Sequence, residues 1–292
     1  MTTDDTFSTM TIRLIALSLA VVFHVAPSGF AKDQADTVAP TELHAKGGGR
    51  VWVYLPPNAT AESKVACVLV PPAGSRLFHG MSLGEGDRAE HLPYVAAGFA
   101  VVSFDVSGPW PDAGGAAAQQ NAIRAFMNSK LGINDAVEAL QLALGKYPQI
   151  DPHRIYAAGH SSAGTLVLQI AASSPEIRGC AAFAPVPDLE AHLGAKTIKA
   201  IDSLVPGMAK LMHDESPINQ IAALRCPLFL FHAEDDATVP TASIAAYREG
   251  VSAHHKQFDY IQVTSGGHYD SMIRQGIPKA IAWLTALDQK PK

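Results

Sequence analysis

Ser161 stands in a stretch of sequence whose residue types could carry out acyl transfer. It lies between the apolar residues 154–158 and an apolar, helix-patterned stretch that begins at Ala163, and Gly159 precedes it by two positions. A serine in such a tight strand-to-helix turn adopts a strained backbone conformation, and its neighbours must be small. A Gly/Ser-rich turn of an unrelated α/β fold would share this pattern. Ser161 therefore needs a base and an acid elsewhere in the chain.

Candidates for both partners follow later predicted strands. His268 comes after the apolar residues 258–263 and two glycines, which permit a sharp turn that aims an imidazole back across the end of a sheet. Residues 228–231 lead into three consecutive carboxylates. These are Glu234, Asp235 and Asp236. The order serine, carboxylate, histidine is that of a nucleophile, the acid that orients the base, and the base. The pattern alone does not decide which carboxylate orients His268.

The residues that could stabilise an oxyanion are backbone N–H donors. One is expected from Ser162, directly after the nucleophile, and another from the loop that follows residues 65–70. Pro71 and Pro72 have no N–H to give, so the second donor is predicted to be Ala73, with Gly74 as the next choice.

Three apolar side chains lie in loops at the same end of the predicted sheet. Leu77, Phe78 and Trp110 are candidates to line a substrate pocket, and simple packing beneath the loops is the alternative. No His/Cys/Asp/Glu cluster in the sequence has the spacing of metal ligands, so the sequence predicts neither a metal nor a cofactor.

Apolar runs alternate with helix-period segments along the chain. Such alternation predicts an α/β fold with a mostly parallel, doubly wound sheet flanked by helices. The predicted strands are residues 51–55, 65–70, 100–104, 155–158, 180–183, 228–231 and 258–263, and the predicted helices include about 86–97, 132–146, 162–173, 240–250 and 270–287. A helical insertion at about 187–222 is either an ordinary excursion between two strands or a small lid over the site.

The composition is that of one globular domain. The 292 residues are 48% hydrophobic and 17% charged with a formal net charge of −5, which argues against a nucleic-acid partner. Cys67, Cys180 and Cys226 are too few for a disulfide scaffold, although Cys180 and Cys226 lie on strands that are predicted neighbours and their pairing is left open. The oligomeric state is also left open.

The first 31 residues differ from the rest of the chain. Arg13 precedes an apolar run, and small residues follow it up to Ala31, which is the layout of a cleaved secretory signal peptide. Translation from Met10 would give the same segment a shorter start, and an uncleaved membrane anchor is the competing interpretation. We expect residues 1–31 to be removed. The single domain 32–292 is then exported to the periplasm or the medium without stable membrane insertion.

Taken together, these residues resemble the α/β-hydrolase superfamily. Within it, the chain is similar to prolyl oligopeptidase catalytic domains and to dienelactone-hydrolase-like esterases, from about residue 50 to 285. Residues 150–155 resemble the family's approach to its nucleophile, and residues 216–228 its approach to the strand that carries the acid. The family's acid lies in a small-x-x-Asp-x-x-Val-Pro pattern, which falls on residues 233–240 and implies Asp236 as the acid, with Asp235 second.

The chain departs from the family pattern in three places. Ala163 stands where glycine is usual, which leaves Ser162 as a less favoured nucleophile. The oxyanion loop lacks the His-Gly-Gly sequence of many lipases and esterases. No propeller sequence precedes the hydrolase-like part, which favours an ester over a peptide as substrate.

The resemblance therefore implies a serine hydrolase that cleaves a small-molecule carboxylic ester through an acyl-enzyme, with Ser161, Asp236 and His268 as its triad. Two alternatives stay open. One is a serine peptidase acting on short peptides, and the other is a non-catalytic protein of the same fold that binds a ligand or partner.

Overall fold

An eight-stranded sheet forms the centre of the protein. The computed structural model describes residues 38–74 and 77–289, and the expected signal peptide lies outside them. The strands are β1 (Thr41–His44), β2 (Arg50–Tyr54), β3 (Val65–Leu69), β4 (Ala100–Phe104), β5 (Ile150–His160), β6 (Ile177–Phe183), β7 (Leu228–Ala233) and β8 (Phe258–Val263). Their order in the sheet is β1-β2-β4-β3-β5-β6-β7-β8. β1 and β2 are antiparallel to their neighbours, and the remaining pairings are parallel.

Both faces of the sheet are covered by helices, which explains why its central strands are continuous apolar runs. The helices are α1 (Arg88–Ala96), α2 (Gly115–Asn128), α3 (Ile133–Lys146), α4 (Ser162–Ser173), α5 (Leu189–Leu193), α6 (Ala195–Leu204), α7 (Met208–Glu215), α8 (Ala245–His254) and α9 (Ile277–Asp288). Residues of α1 and α9 share one hydrophobic core with one face of the sheet. Residues of α2, α3, α4 and α8 share the other core with the opposite face.

The parallel strands bring distant segments to one end of the sheet. β3, β5, β6, β7 and β8 are consecutive parallel neighbours, so their carboxyl ends point the same way. The loop after β3, Ser161 after β5, the carboxylates after β7 and His268 after β8 therefore lie at that end. This is the end at which open α/β sheets place their binding sites.

The predicted insertion at 187–222 contains three helices packed on the core. Ile201 of α6, with Met208 and Met212 of α7, is buried, and Gln120 of α2 donates a 2.5 Å hydrogen bond to the carbonyl of Leu204. Within residues 38–74 and 77–289, no helix is long and apolar enough to cross a bilayer. The three cysteines are buried free thiols.

Candidate active site

Ser161 occupies the tight turn between β5 and α4. Its backbone lies at φ 56° and ψ −120°, a strained conformation for a residue with a side chain, and its N–H donates to the carbonyl of Phe183 at 2.9 Å. A Cβ added at Gly159 would come within 2.5 Å of the Ala163 carbonyl oxygen. The close packing of the helix start on the strand end therefore accounts for the small residues around Ser161.

His268 and Asp236 are in direct contact. The Nδ1 atom of His268 donates to Oδ2 of Asp236 at 2.7 Å, and the N–H groups of Thr238 and Val239 donate to Oδ1 at 2.8 and 2.9 Å. Burial alone raises the pKa of the Asp236 carboxyl. The hydrogen bonds it accepts from His232, His268 and Val239 outweigh burial and hold that pKa well below its ordinary value. Asp236 is thus a carboxylate at neutral pH.

His232 is a second imidazole on the same carboxylate. Its Nε2 atom lies 2.5 Å from the carbonyl of Val239 and 3.3 Å from Oδ2 of Asp236, while its side chain is fully buried. A carbonyl accepts, so Nε2 must carry the proton. The signal in the sequence was the spacing of four residues between His232 and Asp236, across the turn that ends β7.

His160 contacts the backbone and the ring of His268. Its Nε2 atom donates to the backbone carbonyl of His268 at 2.9 Å, and the two rings lie 4.4 Å apart between centroids. On its other side, Nδ1 lies 3.9 Å from Oε1 of Glu90. Burial lowers the pKa of His160 to about 3 and raises that of Glu90 to about 8. Both groups are therefore uncharged near neutral pH, and their contact is not an ion pair.

The predicted oxyanion donors do not all face one point. Ser162 is the first residue of α4, so its N–H has no acceptor within the helix. Gly74, the second choice in the loop, donates its N–H to Oγ of Ser162 at 3.1 Å. The N–H of Ala73, the first choice, lies near the carboxyl of Asp87 and lowers its pKa, but burial outweighs this and raises that pKa to about 6.

The three predicted pocket residues divide between two cavities. Leu77 lines a cavity of about 30 Å³ beside Ser162 and Leu166. Phe78 and Trp110 pack edge to face at 5.6 Å between centroids and line a smaller void of about 10 Å³ against α2 and α6. The structure thus brings Leu77 to the nucleophile turn and places the two aromatic residues in a neighbouring packed cluster. Among the described residues, no group of three or more His, Cys, Asp or Glu side chains could hold a metal ion.

Comparison with known proteins identifies the family of this arrangement. Residues 88–287 match the prolyl oligopeptidase family. No curated protein sequence matches the chain.

Solved structures of similar fold include three peptidases. Acylaminoacyl peptidase of Pyrococcus horikoshii superposes with a TM-score of 0.66 at 15% identity, over 87% of this chain and 42% of that one. A puromycin-hydrolyzing peptidase of Mycobacterium tuberculosis gives 0.66 at 17% identity over 90% and 42%. Dipeptidyl peptidase 4 of Porphyromonas gingivalis gives 0.64 at 17% identity over 85% and 35%.

This chain spans about two fifths of the length of these structures. At 15–17% identity, these structures establish only the fold of this chain. The family is established by the match over residues 88–287, which is more than half of the chain. The chain belongs to the prolyl oligopeptidase family and has the α/β-hydrolase fold.

Proposed function

We propose that this protein hydrolyses amide bonds in short peptides through an acyl-enzyme formed on Ser161. The observation that carries the proposal is the 2.7 Å hydrogen bond from His268 to Asp236, at the same end of the sheet as the strained turn of Ser161. Since Nδ1 donates to a carboxylate, Nε2 of the neutral imidazole keeps its lone pair and can accept a proton.

In the proposed reaction, Nε2 of His268 takes the proton of the Ser161 hydroxyl as its oxygen attacks the substrate carbonyl. The N–H of Ser162 stabilises the developing oxyanion, and a donor from the Ala73–Gly74 loop joins it. His268 then protonates the leaving amine, and the C–N bond breaks. Water repeats the sequence, with its proton going to His268, and releases the acid and free Ser161. Asp236 keeps the imidazole in the productive tautomer and stabilises its charged form.

The choice of peptide over ester rests on the family and on the similar structures, which are peptidases by description. This reverses the preference that the sequence suggested. Ester hydrolysis is a second candidate for one reason: among the described residues, those that line the cavity beside Ser162 include no Asp, Glu, Lys or Arg to recognise a peptide terminus. The same machinery cleaves esters, which have the better leaving group.

Matched substrates separate the two candidates. A series of p-nitroanilides and p-nitrophenyl esters with the same acyl or aminoacyl groups is assayed with wild type and Ser161→Ala. We expect turnover of aminoacyl or dipeptidyl anilides and its complete loss in the variant, because that variant has no nucleophile. Turnover of the esters with no cleavage of any anilide would contradict the peptidase proposal and support the ester candidate.

Labelling by a fluorophosphonate tests the nucleophile without a known substrate. Wild type should be labelled, whereas Ser161→Ala should not be. Ser162→Ala is the matched control and should still react, because its neighbour keeps the strained turn. Labelling that persists in Ser161→Ala but disappears in Ser162→Ala would transfer the role to Ser162. Failure of the folded wild type to react would favour a non-catalytic binding protein.

A further inference from the structure

The three consecutive carboxylates after β7 each bind a different partner. Oε1 of Glu234 accepts from the side-chain amide of Gln262 at 2.9 Å. Asp236 accepts the imidazole of His268, as described above. Asp235, between them, accepts two backbone hydrogen bonds from the loop that precedes His268. The N–H of Gly266 donates to Oδ2 at 3.1 Å, and that of Gly267 donates to Oδ1 at 2.8 Å. Adjacent residues therefore hold the same loop at two points.

The loop before His268 has a backbone that needs such a restraint. Gly266 and Gly267 lie at φ 119° and 59°, in the region that glycine enters without penalty. Two successive glycines give the chain many alternative conformations, and His268 follows them directly. Ser271 closes the loop from the other side, with its N–H donating to the carbonyl of Gly266 at 2.9 Å and its hydroxyl to that of Gly267 at 2.6 Å.

The bonds to Asp235 are the stronger kind, because the acceptor is a carboxylate and each oxygen takes one N–H. Both carboxylate oxygens of Asp235 accept from the backbone of the loop, whereas Oδ2 of Asp236 accepts from the ring of His268. Asp236 fixes the ring of His268 through Nδ1, but a ring bound at one atom can still pivot with its backbone. Asp235 fixes that backbone one and two residues before the ring.

We infer that Asp235 is a positioning residue for His268, clamping the Gly266–Gly267 backbone so that Nε2 faces the nucleophile. The inference rests on the proposed role of His268 as the base. Misplacing a catalytic group by about 1 Å costs about 100-fold in rate. Loss of the clamp should therefore reduce kcat and leave KM nearly unchanged, since Asp235 contacts the loop and not the cavity.

The test compares Asp235→Ala and Asp235→Asn with Glu234→Ala as the matched control. Both positions are exposed, and the folding of each variant is checked by thermal melting. We expect kcat to fall about 10- to 100-fold in Asp235→Ala. Asp235→Asn keeps one acceptor oxygen and should recover part of that loss. Glu234→Ala should match wild type, because the carboxylate of Glu234 binds the side chain of Gln262 and not the loop before His268.

A spectroscopic readout makes the test independent of any substrate. The Nδ1 proton of His268, in a 2.7 Å bond to a carboxylate, should give a far-downfield proton resonance that His268→Ala removes. In Asp235→Ala this resonance should broaden or shift, with Glu234→Ala unchanged. An unaltered resonance together with unaltered kcat in Asp235→Ala would overturn the inference. So would a complete loss of activity in Asp235→Ala with full activity in Asp236→Asn, because Asp235 would then be the acid.

If the wild type cleaves no substrate, the proposed function fails, while the resonance still reports whether Asp235 positions the ring. The two proposals can therefore fail separately.

Discussion

At the scale of single residues, the site depends on groups that stay uncharged as much as on those that ionise. Glu90 and His160 lie beneath His268, and each is almost completely buried. A neutral His160 donates Nε2–H to the carbonyl of His268, while its Nδ1 faces Glu90. A protonated Glu90 suits that arrangement, because a carboxyl O–H is a donor and Nδ1 an acceptor.

Glu90→Gln tests this pair through the pH dependence of stability. The pKa of Glu90 is raised to about 8 in the folded protein, so the folded state binds a proton that the unfolded state has already released. The stability that Glu90 contributes is complete below the ordinary carboxyl pKa and is lost as pH rises through about 8. Glutamine stays neutral throughout. We expect the free energy of unfolding of Glu90→Gln, relative to wild type, to rise by a few kcal/mol between pH 5 and pH 9.

Denaturant unfolding at a series of pH values measures this difference. Asp87, whose pKa is raised to about 6, titrates in both proteins, and only the part of its dependence that does not involve the charge of Glu90 cancels in the comparison. Glu85→Gln is the matched control, because Glu85 lies on the preceding turn with an exposed side chain and should show a constant difference from wild type. A constant difference in Glu90→Gln as well would show that Glu90 is ionised in the folded protein across this range.

Residue types and order predicted a contact between His268 and one of the three carboxylates after β7, but did not say which one. Asp235 and Asp236 have the same chemistry and adjacent positions, so only the family resemblance favoured one of them. The turn after β7 directs Asp235 to the backbone N–H of Gly267 and Asp236 to the ring of His268. The contacts of His232 and His160 were missed for the same reason, since a single histidine gives no periodicity that reveals which way its ring faces.

At the scale of secondary structure, the strained turn between β5 and α4 restricts which residue types the sequence can hold. Gly159→Ala would place a Cβ 2.5 Å from the carbonyl oxygen of Ala163 and 3.0 Å from the N–H of Gly164, both backbone atoms that cannot rotate away. We expect the turn to shift and the rate of fluorophosphonate labelling to fall at least about 100-fold. Melting temperature and circular dichroism separate this loss from unfolding.

Ala163→Gly is the matched control for that variant. It restores the glycine usual in the family and removes a methyl group without creating a clash. Glycine in a helix costs about 1 kcal/mol relative to alanine, so stability should fall slightly and labelling should persist. Normal labelling of Gly159→Ala would show that α4 can shift on β5 enough to accommodate the added methyl group.

Most strands were predictable because two covered faces require continuous apolar runs. β4 and β8 have the predicted bounds, and β3 ends one residue early. β1 was missed since it is short, polar and at the sheet edge. α2 was missed as well: it starts in a Gly/Ala-rich stretch, no side chain caps it, and its buried residues are confined to Ala122, Ile123 and Phe126. Such elements depend on tertiary packing, which local sequence does not report.

At the scale of the whole molecule, the fold places every part of the site on elements that follow residue 38. Val38 is the first described residue, and its carbonyl accepts a 3.1 Å hydrogen bond from the side chain of Arg88. β1 then starts at Thr41. Among the described residues, the two hydrophobic cores take their members from Val38 to Leu287.

We therefore expect export with removal of residues 1–31 to yield a fully active protein. The chain expressed in a Gram-negative host should give a periplasmic or secreted product whose mass starts near Lys32, because an apolar run followed by small residues up to Ala31 is read by signal peptidase. A variant that begins at Lys32 should melt at the same temperature and be labelled at the same rate. Ala31→Trp, with a bulky residue before the cleavage point, should accumulate as the longer precursor. A wild-type product that stays at membranes with its full mass, starting at Met1 or Met10, would instead support the uncleaved anchor.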